Sequence, residues 1–526
     1  MGTDVQGDWK RRESWKSALT QVAVVALVLA GAVTYFVHRG AVRKETEERM
    51  RAARSAALRG NPADLARAMA ELETLFQVDA QARDGQALAA DIQTVLWLEH
   101  HQPGADAKAR EYLARAEELD SRSGERYSAR ALHLLAEGKT AEAEKYLADL
   151  QTQGANSPRL TLALALTLQA KGDLPGARQA FARAAEGAYR DTRFTTAYAE
   201  ALLAEGQHAQ AVEVFEKTTS VNPDHLMARL GTGLAYVYQG KKLEEAQRAL
   251  TAASEKEAEL TPSLRSRLSA LKAELALTRG AADEALQEAD TALKAVPDDV
   301  YALFARARAL SARKVPEARA AFEAAVAKRR TAPLLYLDGA RSLQASGDAT
   351  GALALLDAYE GTFGAIQVAS ADGKKVGLLE QDGRYWLARG GLLEAAGRQD
   401  DALGAYDKAI AAKGVGLARA QYAKGALLVQ RKDYEGAKAL LATVAPDTGA
   451  GTLPEAYTAM GDLLFAQNAY AAGCQHYYFG LVRARSQGAT REELATRIDT
   501  VKKGLESSGQ GAMAKAWMNE TGVLLQ

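Results

Sequence analysis

The sequence predicts an all-α solenoid of helix–turn–helix repeats preceded by one transmembrane helix. The first observation is a short turn that recurs along most of the chain, mainly at intervals of 34 residues. The second is that small and large apolar residues keep fixed distances from each turn. The third is an uncharged N-terminal stretch of 20 residues, from Ala18 to Val37. A repeat of this length cannot bury its apolar face alone, so it stacks on copies of itself.

The uncharged stretch is the first element of this architecture. As a helix it would be about 30 Å long, which matches the hydrocarbon core of a membrane. Trp15 lies near one end and Tyr35 near the other, where aromatic residues favour the membrane interface. The predicted anchor at residues 18–37 includes Ala18, Val25, Leu29 and Val37.

Cleavage and orientation of this segment are separate questions. Ala30-Gly31-Ala32 resembles a signal-peptidase site, so removal of the segment stays an open alternative. The apolar and neutral residues that follow this site favour an uncleaved anchor. Counts of basic residues on the two sides do not decide the orientation. Because the Lys10-Arg11-Arg12 cluster is hard to translocate, we predict a cytoplasmic tail at residues 1–17 and a solenoid outside the cytoplasm. A cytoplasmic solenoid stays open as the alternative.

The two ends of the stack have their own signals. Residues 38–90 predict a helical stalk and a degenerate first repeat, with a helix start at Asn61-Pro62. The apolar residues from Leu65 to Phe76 then follow helical spacing. Residues 488–526 predict a capping helix and tail, because Thr490-x-x-Glu493 has the form of a capping box. Atypical terminal units are expected where a stack of repeats ends.

The repeats themselves occupy residues 91–360 and 384–487. An alanine or glycine usually stands five positions after the turn and a large apolar residue nine positions after it. The small residue lets two antiparallel helices approach closely, and the large residue fills the gap to the next pair. The turn residues are Gly104, Gly138, Gly172, Gly206, Gly240, Gly280, Arg313, Gly347, Gly397, Lys432 and Asn468.

An insertion at residues 361–383 interrupts the stack. It contains two runs that favour β-structure, Ala365–Val368 and Val376–Leu379. Asp372-Gly373 lies between them and is a typical hairpin turn. An ordered hairpin and a flexible loop both stay open, and the insertion is a candidate contact site because projecting loops often bind partners.

Composition and motifs argue against several classes of function. Lys and Arg total 66, as do Asp and Glu, so the chain lacks the basic excess of a nucleic-acid-binding protein. The single cysteine, Cys474, excludes an intrachain disulfide. Gly138-Lys139-Thr140 resembles the end of a phosphate-binding loop, but His133 stands where the upstream glycine is required. The seven histidines show no metal-ligand spacing. We therefore predict no enzyme activity, no cofactor, no metal, no nucleic-acid partner and no small-molecule substrate.

The repeat resembles the tetratricopeptide repeat over about residues 90 to 487. That family's signature is a Trp or Tyr, a small residue four positions on, then an alanine and an aromatic residue in the second helix. The clearest copy runs Trp386–Gly390–Leu393–Gly397–Ala402–Tyr406. The resemblance implies a right-handed superhelix whose first helices line a concave groove for proteins or peptides.

The resemblance also indicates which residues face the groove. Leucines stand at the family's inward-facing positions, and an arginine lies thirteen positions before several turns: Arg159, Arg193, Arg267, Arg384 and Arg419. An apolar floor with an arginine rim predicts binding of an extended or helical peptide with acidic flanks. In the alternative, the leucines pack between helices and the arginines are solvated. The predicted groove residues are Leu162, Leu166, Arg193, Leu230, Leu234, Tyr238 and Arg267.

The sequence as a whole predicts a membrane-anchored scaffold that binds proteins. It is similar to single-pass bacterial repeat proteins that recruit or assemble components of a cell-envelope machine, such as a secretion, pilus or motility apparatus. This similarity implies a location in the inner membrane with the solenoid in the periplasm. Two alternatives stay open, an extracytoplasmic holdase-type chaperone and a translocon-associated accessory protein.

Overall fold

The computed structural model describes residues 6–257, 260–369 and 373–525, and most of these residues are helical. The described part of the chain contains 26 α-helices, and successive helices pack together in pairs joined by short turns. This architecture confirms the predicted all-α solenoid. The first five residues of the predicted tail and Asp372 of the predicted hairpin turn lie outside the described residues.

The helices before the middle of the chain are α1 (Gln6–Ala57), α2 (Pro62–Val78), α3 (Arg83–Leu98), α4 (Ala105–Glu118), α5 (Gly124–Ala136), α6 (Thr140–Thr152), α7 (Pro158–Lys171), α8 (Leu174–Gly187), α9 (Thr192–Ala204), α10 (His208–Val221), α11 (Leu226–Gln239), α12 (Leu243–Ser254) and α13 (Pro262–Thr278). Those after it are α14 (Ala282–Ala295), α15 (Val300–Ala312), α16 (Glu317–Lys328), α17 (Pro333–Ser346), α18 (Ala349–Phe363), α19 (Gly383–Ala395), α20 (Gln399–Ala411), α21 (Leu417–Gln430), α22 (Tyr434–Val444), α23 (Pro454–Ala466), α24 (Tyr470–Ser486), α25 (Arg491–Ser507) and α26 (Gly511–Thr521).

The first helix, α1, joins an apolar segment to the solenoid without a break. It has 52 residues, which gives a length of about 78 Å. Its apolar window has a mean hydropathy of 2.0 and none of it is buried, so this helix is long and apolar enough to cross a membrane. At its C-terminal end, Ala53 and Ala57 are buried in one apolar cluster with Leu65 of α2. The apolar segment and the first packed unit of the solenoid therefore share a single helix.

The turns between paired helices need a residue with a positive φ angle. Gly172 and Gly347 adopt φ angles of 85° and 97°, the left-handed region that glycine enters without a steric penalty. Lys432 and Asn468 occupy the equivalent turns with φ angles of 62° and 61°. The backbone conformation of the turn is thus retained where glycine is absent.

Close approach of paired helices depends on the small residues of the repeat. Gly231 of α11 faces the ring of Phe215 in α10, and Gly390 of α19 faces the ring of Tyr406 in α20. Both rings are almost fully buried. A side chain at either glycine would overlap the aromatic ring, so small and large residues are matched across each helix pair.

The solenoid coils so tightly that repeats far apart in sequence touch. The Thr192 backbone N–H donates a hydrogen bond of 3.1 Å to the Leu58 carbonyl oxygen. The Asn222 side chain donates to the carbonyl oxygen of Arg59 over 2.9 Å. These bonds fasten the loop between α1 and α2 to the loops at the starts of α9 and α11.

The insertion forms a two-stranded antiparallel sheet in its described part. Strand β1 (Gln367–Ala369) pairs with β2 (Lys375–Gly377), and Val368 lies opposite Val376. Val368 is buried, and β1 contacts helix α8. The sheet therefore lies against the solenoid.

At the C-terminal end, α25 and α26 cover the last repeat. The Thr490 side chain accepts a hydrogen bond from the Glu493 backbone N–H, and the Glu493 carboxylate accepts one from the Thr490 N–H. Trp517 of α26 is buried, and its indole Nε1–H donates to the carbonyl oxygen of Ile498 over 3.0 Å. Leu481 and Ala484 of α24 are buried in one apolar cluster with Leu494 and Trp517, so α25 and α26 cover the apolar face of the last repeat.

Candidate partner-binding cavity

A cavity of about 530 Å³ lies inside the first turn of the superhelix. We call it the inner cavity: helices α3, α5, α7 and α9 and the starts of α11, α13 and α15 supply most of its lining, and α1, α2 and α8 add Ala57, Leu65 and Phe181. Most of its walls are apolar. The apolar lining includes Leu65, Ile92, Leu132, Leu166, Phe181, Ala197 and Met227.

A buried cluster of charges lies on one side of the inner cavity. The Arg193 guanidinium donates to Glu99 through Nε, at 2.9 Å, and to Asp91 through Nη1, at 3.3 Å. Arg159 also donates to Asp91, and its Nη2 lies 3.7 Å from a carboxylate oxygen of Asp191. Because the Asp91 side chain is only 2% exposed and two arginines share it, helices α3, α7 and α9 are joined through one carboxylate.

Burial and neighbouring charges act in opposite directions on this cluster. Burial by itself would lower the pKa of Arg193, but Glu99, Asp91 and Asp191 together hold that pKa above its ordinary value. Burial also raises the pKa of Asp191, against the opposing effect of Arg159 and Arg193. The arginines stay charged because carboxylates surround them.

A second ion pair joins helices α9 and α13 at the cavity. Arg267 of α13 binds Glu200 of α9 with both guanidinium ends, at 2.7 and 2.8 Å. The guanidinium carbon also lies 4.1 Å from the centre of the Tyr301 ring. The Tyr301 hydroxyl donates to Glu200 as well, over 3.2 Å. This pair links α9, α13 and α15 in the way that the first cluster links α3, α7 and α9.

The sequence pattern contains a signal for these carboxylates that the prediction did not use. Asp91 and Glu125 stand thirteen positions before Gly104 and Gly138, the same register position that Arg159 and others occupy in later repeats. Acids in α3 and α5 thus precede arginines in α7 and α9 at the same position of the repeat. Glu99, Asp191 and Glu200 do not stand at this position of the repeat. Their pairing with arginines depends on how the superhelix coils, so the spacing of the sequence does not indicate it.

Three uncharged histidines lie at the edge of the inner cavity. Burial, together with the smaller effects of the neighbouring His225, His101 and Arg193, lowers the pKa of His100 to about 3. Burial likewise lowers the pKa of His225 to about 4, and its Nδ1 accepts a hydrogen bond from the Ala228 N–H. His101 Nδ1 lies 2.7 Å from the Ser263 hydroxyl. At neutral pH these rings add polarity to the cavity without adding charge.

Three of the predicted groove residues line the inner cavity: Leu166, Arg193 and Arg267. The other four lie elsewhere. Leu162, Leu230 and Leu234 are at most 1% exposed and belong to the apolar clusters between helices, so they are packing residues and not part of an open groove floor. Tyr238 is half-buried, with its ring 5.0 Å from His208 and 5.6 Å from Phe304.

The predicted arginine rim is also different in the structure. Arg193 and Arg267 are buried and Arg159 is 17% exposed, and all three bind carboxylates of this chain. Arg384 donates to the carbonyl oxygen of Glu205, whereas Arg419 is exposed. The cavity arginines therefore do not present free cations to acidic residues of a partner. Within the described ranges, no cluster of three or more His, Cys, Asp or Glu residues has a geometry suited to a metal ion.

The stacked helix pairs and the concave cavity define a protein of the helical-repeat solenoid class. The family model described as tetratricopeptide repeat matches residues 162–224, 196–258, 230–300 and 271–333. Residues 162–333 of the chain therefore consist of tetratricopeptide repeats, as the sequence pattern predicted. The presence of these repeats supports a role as a protein–protein interaction scaffold.

Solved structures similar to this chain include human IFIT1, determined as a dimer with PPP-AAAA. It has 16% identity and a TM-score of 0.41, and the match covers 77% of this chain and 95% of IFIT1. Yeast Tom70 has 13% identity and a TM-score of 0.41, with 89% of this chain and 96% of Tom70 covered. Cut9 in the APC/C complex Cut9–Hcn1 has 11% identity and a TM-score of 0.36, with coverage of 83% and 93%. No curated protein matches the chain in sequence.

Proposed function

We propose that this protein is a membrane-anchored scaffold that holds a protein partner at its solenoid. The observation that carries the proposal is helix α1, which runs without a break from an exposed apolar segment into the packed core of the first repeat. A partner bound to the solenoid would therefore be held near the membrane by a helix rather than by a flexible linker.

The finer proposal is that the scaffold recruits or assembles components of a cell-envelope machine, such as a secretion, pilus or motility apparatus. It places the anchor in a bacterial inner membrane and the solenoid in the periplasm. The support for this orientation is the Lys10-Arg11-Arg12 cluster before the apolar segment, since short basic tails are retained in the cytoplasm.

A paired set of charge substitutions tests the anchor. Leu27 and Val28 are 73% and 65% exposed in the apolar segment. Leu27→Arg with Val28→Arg would place two charges at the centre of the bilayer, at about 2.5–3.5 kcal/mol each. We expect this variant to leave the membrane fraction on ultracentrifugation. Glu47→Arg with Glu48→Arg, beyond the apolar segment on the same helix, is the control and should remain in that fraction. If the two variants were found in the membrane fraction to the same extent, the result would contradict the proposed anchor.

Crosslinking and affinity purification from intact cells test the scaffold. A tag after Gln526 is assayed for protease access from the periplasmic side, and the crosslinked complex is purified through the same tag. An accessible tag and one or two envelope proteins in fixed stoichiometry would support the proposal. Many unfolded proteins in place of fixed partners would favour a holdase-type chaperone. A protected tag would overturn the periplasmic orientation.

A further inference from the structure

We propose that the first turn of the superhelix opens when His225 and His100 take up protons, so that mild acid releases the loop between α1 and α2 from helices α9 and α11. The proposal goes beyond the scaffold function, because it does not depend on which partner the solenoid holds. It concerns the place where the chain closes on itself after helix α1. We call this place the closing contact: residues 58–60 lie on one side of it, and Thr192, Asn222 and His225 lie on the other.

His225 stabilises the start of helix α11 through a hydrogen bond that only its neutral ring can form. It is the N-cap residue, and its Nδ1 accepts a bond of 3.3 Å from the Ala228 backbone N–H. In the charged ring Nδ1 carries a proton, so two N–H groups would face each other. A positive charge is also unfavourable at the start of a helix, where the backbone N–H groups carry partial positive charge. Protonation of His225 therefore removes the cap of α11.

The turn that His225 caps is the same turn that holds the loop between α1 and α2. The His225 backbone N–H donates to the Asn222 carbonyl oxygen at 3.1 Å. The Asn222 side chain in turn donates to the Arg59 carbonyl oxygen at 2.9 Å. The loop also lies directly beside the ring, since a Cβ at Gly60 would be 3.3 Å from His225 Nε2. A charged ring that leaves the start of α11 therefore disturbs the residues that hold the loop.

His100 adds a second titratable ring near the closing contact. The residue is 6% exposed, and its Nδ1 has no hydrogen-bond partner among the described residues. Its carbonyl oxygen accepts a bond of 3.4 Å from the Ser263 N–H, which joins the turn after α3 to the start of α13. A proton on this ring would add a positive charge close to Arg193, whose guanidinium is already bound to Glu99 and Asp91. The closed turn therefore disfavours protonation of His100 as well.

The charged groups that face the two rings do not compensate a new positive charge. Asp64 of α2 faces His225, but it already binds Arg59 and Arg67. Asp224, beside His225 in the chain, is exposed. The neighbours of His100 all disfavour a further positive charge: His225, His101 and Arg193. His101 itself lies near charged groups in the loops before α15 and α17: Asp298, Asp299 and Arg329.

Acid therefore shifts the balance towards the open turn. In the closed turn, burial is the main cause that holds the pKa of His225 at about 4 and the pKa of His100 at about 3. An exposed histidine has a pKa near 6.5, so the open turn binds more protons below that pH. Between pH 7 and pH 5, each ring favours the open turn by up to about twentyfold. The closing contact is thus most stable above about pH 6.5 and weakens as the pH falls.

Amide hydrogen exchange of the full-length protein in nanodiscs at pH 7 and pH 5 tests the proposal. The Thr192 N–H reports the closing contact, because it donates to the Leu58 carbonyl oxygen. After correction for the intrinsic effect of pH on exchange, its protection should fall about tenfold or more at pH 5. Protection within α21 should stay nearly constant, and circular dichroism should show an unchanged helix content. An equal fall in α21, or a loss of helix, would overturn the proposal, since the acid would then unfold the solenoid in general.

A double variant tests whether the two histidines cause the opening. His225→Asn keeps a side chain that caps helices but takes up no proton. Combined with His100→Gln, it should keep Thr192 protected at pH 5. His225→Ser also caps a helix and takes the place of His225→Asn if that variant does not fold. A folded double variant that loses protection at Thr192 as the wild type does would overturn the proposal.

The matched control is His133→Asn. His133 is buried as well and has a pKa of about 4, but it belongs to α5 and lies 3.1 Å from the Thr94 hydroxyl, away from the closing contact. This variant should lose protection at Thr192 on acidification to the same extent as the wild type. If it stayed protected at pH 5 like the double variant, the effect would not belong to His225 and His100, and the proposal would be wrong.

Discussion

At the scale of single residues, the structure depends on a few buried charges that connect distant repeats. Asp91 accepts hydrogen bonds from Arg159 and Arg193, which lie 68 and 102 residues away. Such pairs are weak evidence of added stability, because removing their charges from water is unfavourable. The pairs instead fix the relative positions of the helices. Any arrangement that separated an arginine from its carboxylate would leave a buried charge without a counter-charge. We therefore expect these residues to determine how the first turn of the superhelix closes.

The first prediction concerns Asp91→Asn. This change leaves Arg159 and Arg193 without their shared carboxylate, and breaking a buried pair destabilises by about 3–5 kcal/mol. Amide hydrogen exchange should therefore become faster in α3, α7 and α9. The control is Asp106→Asn, which removes an exposed pair with Arg110 and should change stability by less than about 1 kcal/mol. Similar exchange in the two variants would contradict a structural role for the buried cluster.

The second prediction concerns pH. His100 and His225 have pKa values of about 3 and about 4 in the folded protein, because burial disfavours their charged forms. An unfolded histidine has a pKa near 6.5, so the unfolded chain binds more protons between these values. The stability of the N-terminal repeats should therefore be highest above about pH 6.5 and should fall as the pH decreases towards 4. Each histidine contributes a slope of up to about 1.4 kcal/mol per pH unit.

Urea unfolding monitored between pH 4 and 7 tests this expectation. His100→Gln or His225→Gln should reduce the slope of stability against pH, because each removes one group that takes up a proton on unfolding. His38→Gln changes an exposed residue on α1 and serves as the control. If the free energy of unfolding depends on pH with the same slope in both histidine variants as in the wild type, other groups cause the pH dependence.

At the scale of helix pairs, close packing between glycine and aromatic residues fixes the separation of the two helices. Gly390 of α19 lies against the Tyr406 ring of α20, and the neighbouring Gly391 has no atom within 4 Å of where a Cβ would be. Both residues are in the same helix, yet only Gly390 stands at the small-residue position of the repeat. Comparing Gly390 with Gly391 therefore separates the need for a small residue against the Tyr406 ring from the general effect of glycine in a helix.

The third prediction compares Gly390→Ala with Gly391→Ala. The added methyl group at residue 390 overlaps the Tyr406 ring and should destabilise by about 1–3 kcal/mol through overpacking. The same change at residue 391 meets no atom and should stabilise the helix by about 0.5–1 kcal/mol. Thermal unfolding of the two variants checks the opposite signs. A loss of stability in both would mean that the helix tolerates no change here and that the ring contact is not decisive.

At the scale of the whole molecule, the contacts divide into those that the sequence predicts and those that it does not. The turns, the small residues and the paired helices follow from a local period, so the solenoid and its family could be predicted. Leu230 and Leu234 illustrate the limit, because the same period places them between helices and not on an open face. The pairing of Arg193 with Glu99 depends on small rotations that accumulate over several repeats. No local pattern reports that accumulated rotation, so the inner cavity could not be predicted from the sequence.

Closure of the first turn leads to the fourth prediction, which concerns Gly60. This residue has a φ of 67°, and a Cβ there would lie 2.6 Å from the Thr192 hydroxyl oxygen. Gly104 has a similar φ of 76°, but no atom lies within 4 Å of its Cβ position. An alanine at either site bears a backbone penalty of about 1–2 kcal/mol. Only Gly60→Ala also pushes the loop between α1 and α2 away from α9.

Amide exchange at Thr192 distinguishes the two alanine variants. The Thr192 N–H donates to the Leu58 carbonyl oxygen in the closed turn, so its exchange reports that contact directly. Gly60→Ala should accelerate exchange at Thr192 at least tenfold, because the overlap adds to the backbone penalty and acts on the contact itself. Gly104→Ala should leave Thr192 nearly unchanged while it weakens its own turn. If Thr192 exchanged equally in both variants, Gly60 would not control how the anchored end of the chain closes on helix α9.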